Sequence, residues 1–284
     1  MDNDKPTGAG VVESLADVLD EFTTARLAAL GIPFGGRCWE IGAGSGSVAC
    51  YLADAVGDSG LVLATDINPR HIPSYPGVRV RRHDVARDPM PEGLFDVIHA
   101  RLLLAHLPER HELLARLVGA LKPGGVLMVE EWGSIGQALV LSSPHPEAGR
   151  LLERYQWALL AVFASRGNDT SWCRQVPAAM VSAGLVGVHT DVFARTWAGG
   201  TAGCVLSVAV STELEPLLVK NGVSADDLAR LREVLSDPAT LVLGNLTWST
   251  SGHKPYRPGT PAVMRGAGPV ASALTIAEVV RAHP

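Results

Sequence analysis

Positive charge, paired cysteines and long apolar runs are all scarce in this chain, and each shortage closes a class of function. Its 284 residues carry 24 Lys and Arg against 29 Asp and Glu, a formal net charge of −5. Such a balance offers no general attraction for phosphate backbones or acidic membranes, so nucleic acid is not an expected partner. The four cysteines, Cys38, Cys50, Cys173 and Cys204, include no CxxC pair and no Cys/His ligand spacing. They predict small core residues in a reducing compartment, with neither a disulfide framework nor a metal site. No apolar stretch reaches the roughly 20 residues that cross a bilayer. The stretch Met1–Gly10 lacks the positive-then-apolar layout of a secretory signal, so the expected location is the cytoplasm and no membrane partner is expected. Internal repeats are absent as well.

What is present is 47% apolar content, enough for a full core and a covering part beside it. The order of elements is informative. Apolar positions from Val11 to Leu30 recur at helical spacing and stop at Gly31-Ile-Pro. Strand patterns follow at 37–41, 61–65, 78–83, 95–100 and 126–130, with helix patterns at 47–56 and 109–121 between them. Alternation of this kind predicts an α/β fold with a doubly wound, mostly parallel sheet, because each parallel neighbour needs a crossover connection. Beyond Trp132 the period weakens. Helices are expected at 151–163, 176–183 and 225–235, strands at 185–192 and 240–249, and a Pro/Gly-rich irregular stretch from Gly252, with a short helix at 270–282.

The strongest chemical signal is Glu40-Ile-Gly42-Ala43-Gly44-Ser-Gly46, set where the first strand meets the next helix. Glycines there allow a sharp turn and a close approach to the main chain, and free N–H groups at the helix start favour an anion. A nicotinamide fingerprint needs a further glycine where Ser47 stands, and an acid two residues before the first glycine suits a pyrophosphate poorly. Asp66 ends the second strand, Asp84 follows the third in His83-Asp-Val85, Phe95–Arg101 forms the fourth, and Leu121-Lys-Pro-Gly-Gly125 turns into Val126–Glu130.

In that order, across residues 11–131, these motifs resemble the class I S-adenosylmethionine-dependent methyltransferases of the broad ubiquinone-biosynthesis-like group. The resemblance implies a seven-stranded sheet, S-adenosylmethionine as cofactor and S-adenosylhomocysteine as product. It places the methionine part over Gly42, Ala43, Gly44 and Gly46, with its ammonium near Glu40. By the same resemblance Asp66 accepts from the ribose hydroxyls, Ile67 packs on the adenine, Asp84 and Val85 meet its edge, and Arg101 closes the fourth-strand motif. An acid at the end of a buried strand also needs a partner, which a cationic cofactor supplies.

Methyl transfer from a sulfonium depends chiefly on alignment of donor and acceptor, and a base is needed only where the acceptor must lose a proton. His106 and Glu131 are the candidate catalytic residues, His106 for its ordinary pKa and Glu131 for its place at the exit of a parallel strand. The alternative for His106 is a helix-entry residue bonded to backbone. Trp132, Tyr155, Trp157, Phe163, Trp172, Trp197 and Trp248 all lie outside the cofactor half. They point either to an apolar or ring-bearing acceptor or to the core of an insertion. The resulting expectation is one domain over 1–284, with a cofactor half at 11–131, helical insertions at 132–170 and 197–237 covering the acceptor, and an irregular tail at 252–284. It would move a methyl group to oxygen, nitrogen or carbon of a small molecule, as a monomer or homodimer. A non-catalytic module of the same fold and a nicotinamide-dependent oxidoreductase are the alternatives.

Overall fold

A computed structural model describes residues 6–133 and 139–256. The leading helix α1 spans Pro6–Leu30. The chain then alternates through β1 (Arg37–Ile41), α2 (Ser47–Val56), β2 (Leu61–Asp66), β3 (Val78–Arg82), β4 (Phe95–Arg101), α3 (Arg110–Ala120) and β5 (Leu121–Trp132). Next come β6 (Leu139–Ser142), α4 (Ala148–Ala164), α5 (Trp172–Ser182), β7 (Val186–Phe193), β8 (Thr196–Ala198), α6 (Ala202–Glu213), α7 (Glu215–Lys220) and α8 (Ala225–Ser236). The described chain closes with β9 (Leu241–Leu243) and β10 (Thr247–His253).

Seven strands form one sheet in the order β3-β2-β1-β4-β5-β10-β7, parallel except for β10, which runs against both neighbours. The order reverses between β1 and β4, and at such a reversal the loops after the strands diverge and leave a crevice. Side chains of β1 alternate between the two covering layers, as the two-residue period of a strand requires. Trp39 and Ile41 join the core with Ile98, Leu117, Trp172 and Met180, while Cys38 packs with Leu27, Leu52, Val97 and Met128. Burial of each such leucine or isoleucine stabilises the fold by roughly 1.5–3 kcal/mol.

A further cluster lies on α4, α6, α7, α8 and β9, where Leu152, Tyr155, Leu206, Leu218, Leu231 and Val242 are buried together. The expectation of purely helical insertions is corrected here. A small antiparallel sheet, β6-β9-β8, is built from residues of both insertions and of the stretch read as one last strand. That stretch, 240–249, divides at Gly244: β9 joins the small sheet and β10 the large one. The division follows packing, since a Cβ on Gly244 would come within 2.7 Å of the Trp197 indole, leaving only glycine where the chain crosses between sheets. The irregular stretch also begins later than Gly252. Gly252 and His253 pair within β10, and Lys254 donates through Nζ to the carbonyls of Gly119 and Leu121. The helix expected at 270–282 lies outside the described residues.

Candidate functional site

A cleft of about 530 Å³ opens at the carboxyl ends of β1, β2, β4 and β5. Of the twelve residues singled out above, eleven line it: Glu40, Gly42, Ala43, Gly44, Asp66, Ile67, Asp84, Val85, Arg101, His106 and Glu131. Gly46 does not. It lies buried behind the loop at φ 81°, where a Cβ would meet Ile72 Cγ2 at 2.8 Å and Pro73 Cδ at 2.9 Å, so it shapes the turn into α2 without facing the cleft.

The N–H groups of the glycine loop are engaged: those of Gly42 and Ala43 both donate to the Thr65 carbonyl at 2.8 and 3.0 Å, and that of Gly44 donates to Asp66 Oδ2 at 3.1 Å. The glycines instead supply a bare concave wall, with Gly42 and Gly44 at φ 68° and 56°. Asp66 is held on both oxygens, since the N–H of Asn68 donates to Oδ1 at 2.8 Å. Each carboxylate oxygen retains acceptor capacity beyond these single bonds. Asp84 likewise caps its own loop through the N–H of Ala86 at 3.0 Å while bordering the cleft. Ile67 is 63% exposed on that wall, an apolar surface against which a flat ring can pack.

Glu40 has a partner that the sequence reading did not foresee. Its Oε2 accepts from His99 Nδ1 at 2.7 Å, and His99 Nε2 lies 3.4 Å from Glu130 Oε2, which also accepts from the Thr23 hydroxyl at 2.6 Å. Glu40, His99 and Glu130 are buried. Burial alone would lower the histidine pKa, but the charge of Glu40 and the bonds to Glu130 and Glu40 outweigh it and raise the value to about 9. The ring is therefore an imidazolium between two carboxylates, and Glu130 is held below the usual carboxylate range against its own desolvation, chiefly by His99. Two acids and one cation leave one net negative charge under the glycine loop. Strand parity was the available signal: Glu40 pairs with His99 and Arg101 with Glu130, on the same sheet face as Cys38, Val97 and Met128.

Arg101 borders the cleft, but its Nη1 is engaged by α1, donating to Asp20 Oδ1 and Thr23 Oγ1 at 2.9 Å each. The next residue, Leu102, has φ 51°, and among the described residues it alone shows a positive φ without being glycine. Strain of this kind, about 1–3 kcal/mol, persists where surrounding bonds fix the backbone. Here the Leu102 N–H donates to the Glu130 carbonyl at 2.8 Å.

Of the two catalytic candidates, Glu131 is 2% exposed and its Oε1 accepts from the N–H of Ala105 at 3.0 Å, capping the turn Leu104–His106. Desolvation raises its pKa to about 8 despite those backbone bonds. His106 is exposed at the cleft wall, edge-on to Phe163, with Nδ1 accepting from the Asn168 amide at 2.9 Å. Desolvation by the surrounding walls holds it below the ordinary histidine value. In the neutral ring that bond leaves Nε2–H as the donor. The aromatic set divides. Trp132 and Phe163 border the cleft, Tyr155 and Trp197 line a chamber beside it, Trp172 belongs to the core beneath the sheet, and Trp157 is exposed.

Among the described residues no group of three or more His, Cys, Asp or Glu is arranged to hold a metal ion, and no described helix is long and apolar enough to cross a membrane.

Comparison with known proteins bears on this site directly. Residues 39–127 match the family described as a methyltransferase domain. Methyltransferase str2 of Strobilurus tenacellus is 43% identical over 96 residues, which are 32% of this chain and 34% of that protein. The ubiquinone/menaquinone biosynthesis C-methyltransferase of Azotobacter vinelandii is 28% identical over 140 residues, 46% of this chain and 52% of its own. The chain thus spans between a third and about half the length of these curated relatives. A crystal structure from Bacillus halodurans, assigned as a methyltransferase, superposes with a TM-score of 0.51 at 16% identity, covering 82% of this chain and 98% of that one. A cyclopropane-fatty-acyl-phospholipid synthase-like protein of Lactobacillus casei gives 0.51 at 16% identity, covering 89% and 94%. These two similarities concern the fold.

Proposed function

We propose, from the premise that residues 39–127 form a methyltransferase domain of the class I, S-adenosylmethionine-dependent kind, that this chain moves a methyl group from S-adenosylmethionine to an oxygen, nitrogen or carbon atom of a small molecule. One observation carries the reading: a bare glycine wall, two strand-end acids and an exposed Ile67 border a single cleft large enough for a nucleoside and its methionine arm.

The residues fit the cofactor by chemistry. Glu40, with its His99 and Glu130 neighbours, gives the methionine end a net negative surrounding that suits an ammonium group. Gly42, Ala43 and Gly44 admit the arm against the main chain. Asp66 has acceptor capacity for ribose hydroxyls, Asp84 for an amine on the base, and Ile67 with Val85 encloses the ring. When bound, the cofactor would supply an electrophilic methyl on a positively charged sulfur. What the protein adds is alignment and exclusion of water. Glu131 holds the turn that carries His106 to the cleft wall, and His106 presents its Nε2–H there as a donor to the acceptor, its Nδ1 being taken by Asn168. Asn168 fixes its ring. The protein is assigned as a cytoplasmic enzyme acting as a single domain.

Isothermal calorimetry tests the reading. S-adenosylhomocysteine should bind with one-to-one stoichiometry and S-adenosylmethionine comparably, while NADH and NADPH give no heat. Binding of the nicotinamides alone would move the chain to the oxidoreductases. Release of S-adenosylhomocysteine from a metabolite panel then separates an enzyme from a binding module of the same fold.

A further inference from the structure

The chamber beside the cofactor cleft, of about 70 Å³, is walled by α1, α4, α6, the small sheet and the end of β5. Four of its lining residues, Trp132, Phe163, Leu206 and Val210, also line the cleft, so the two spaces meet across these side chains. From this arrangement we infer that the chamber is the acceptor's binding subsite and that the acceptor is an uncharged molecule with an apolar body. The inference rests on the methyltransferase reading and adds the chemical class of what is methylated.

Charge is the first argument. Among the described residues Arg195 is the one charged side chain lining the chamber, and it is already engaged: Nη2 pairs with Glu21 at 2.8 Å, and the guanidinium lies 5.4 and 5.5 Å from the ring centres of Phe193 and Trp197. An acceptor carboxylate, phosphate or ammonium placed here would lose its hydration without an opposite charge to replace it, at a cost of several kcal/mol. Shape is the second. Leu152, Leu159, Val242 and the faces of Tyr155 and Trp197 present apolar area. Gly203 and Gly244 let the Trp197 indole press in, since a Cβ on either would lie 2.4 or 2.7 Å from it. Beside the engaged Arg195, the polar side chains lining the chamber, Gln156 among them, are neutral. Trp132 Nε1 donates to the Thr247 hydroxyl at 3.1 Å, and Asn245 and Ser207 add uncharged donors and acceptors at the wall. Such groups orient a hydroxyl or carbonyl and give nothing to an ion.

Position completes the case. Trp132 stands at the end of β5, one residue beyond Glu131 and level with Thr247 of β10. An apolar body seated in the chamber therefore directs its other end past Trp132 and Phe163 toward the cleft, where the methyl group is presented.

Matched probes test this on the full chain by calorimetry at pH 7: 4-pentylphenol, which is neutral there, and 4-pentylbenzoate, which is ionised. The phenol should bind at least tenfold more tightly than the benzoate. Ser207→Phe, which fills the chamber from α6, should weaken phenol binding at least tenfold with S-adenosylhomocysteine affinity unchanged. Cys204→Met, a milder filling of the same space, should act in the same direction should the phenylalanine variant not fold. Equal or tighter binding of the benzoate, no binding of either probe, or phenol affinity indifferent to filling would each overturn the proposal. S-adenosylhomocysteine titrated alone reports on the other reading. Its failure with the probe pattern intact removes the methyltransferase function and leaves a neutral-ligand site, whereas the reverse removes the chamber alone.

Discussion

At the scale of single residues, Asp66 and His106 separate cofactor binding from turnover. Asp66 is already bonded to Gly44 and Asn68, so it shapes the loop, and the proposed function gives its remaining acceptor capacity to the ribose. Asp66→Ala should weaken S-adenosylhomocysteine binding by on the order of 1.5–3 kcal/mol, the worth of hydrogen bonds to a charged acceptor. Affinity unchanged in calorimetry would remove it from the site. His106 holds no such place in the loop. His106→Ala should lower kcat while leaving cofactor Kd nearly intact, and parallel loss of thermal stability and activity would instead assign it to the bond with Asn168.

Elements carry the next level, and α1 is the one whose docking the site depends on. Leu15 lines the cleft, Thr23 donates to the buried Glu130, and Asp20 and Thr23 receive the Arg101 guanidinium. These bonds join the helix to the strand ends that border the cleft, so losing them should loosen α1. Asp20→Ala and Arg101→Met, singly and together, should show a coupling of about 0.5–1.5 kcal/mol in urea unfolding, given a pair that keeps some exposure. Faster amide exchange in α1 and weaker cofactor binding should accompany it. Strictly additive losses would mean that the contact does not hold the helix.

For the molecule as a whole, two of the shifted buried groups, His99 and Glu131, make stability fall toward alkaline pH. His99 has its pKa raised from 6.5 to about 9, so its contribution is complete below about 6.5 and is lost as pH rises through about 9. Glu131 acts in the same direction by the opposite route. Its pKa rises from 4.5 to about 8, the unfolded chain ionises first, and stability declines between those values and levels above them. Thermal melts of Glu131→Gln, which keeps an acceptor for Ala105, should match the parent near pH 5 and exceed it above pH 8. His99→Gln should be destabilised by about 3–5 kcal/mol near pH 6, through two carboxylates left without their cation, and should lose much of the slope between pH 7 and 9. A parent whose melting point is flat across that range would contradict both assignments.

The sequence alone determined the residues that border the cleft, because their determinants are local. Glycines at positive φ, acids at strand ends and a strand-helix alternation are written within a few residues of where they act, and eleven of the twelve named residues share one cleft. What failed locally was the state of those groups. Whether the loop amides were free and what faced Glu40 depended on Thr65, Asp66 and His99, which reach them only across neighbouring strands. The cover was decided by tertiary structure for the same reason. Residues 240–249 read as one strand, yet Leu241–Leu243 and Thr247–His253 go to different sheets, because a strand's own sequence does not specify the partner at its edge. The chamber beside the cleft, assembled from five separate stretches of chain, exists only once those partners have been chosen.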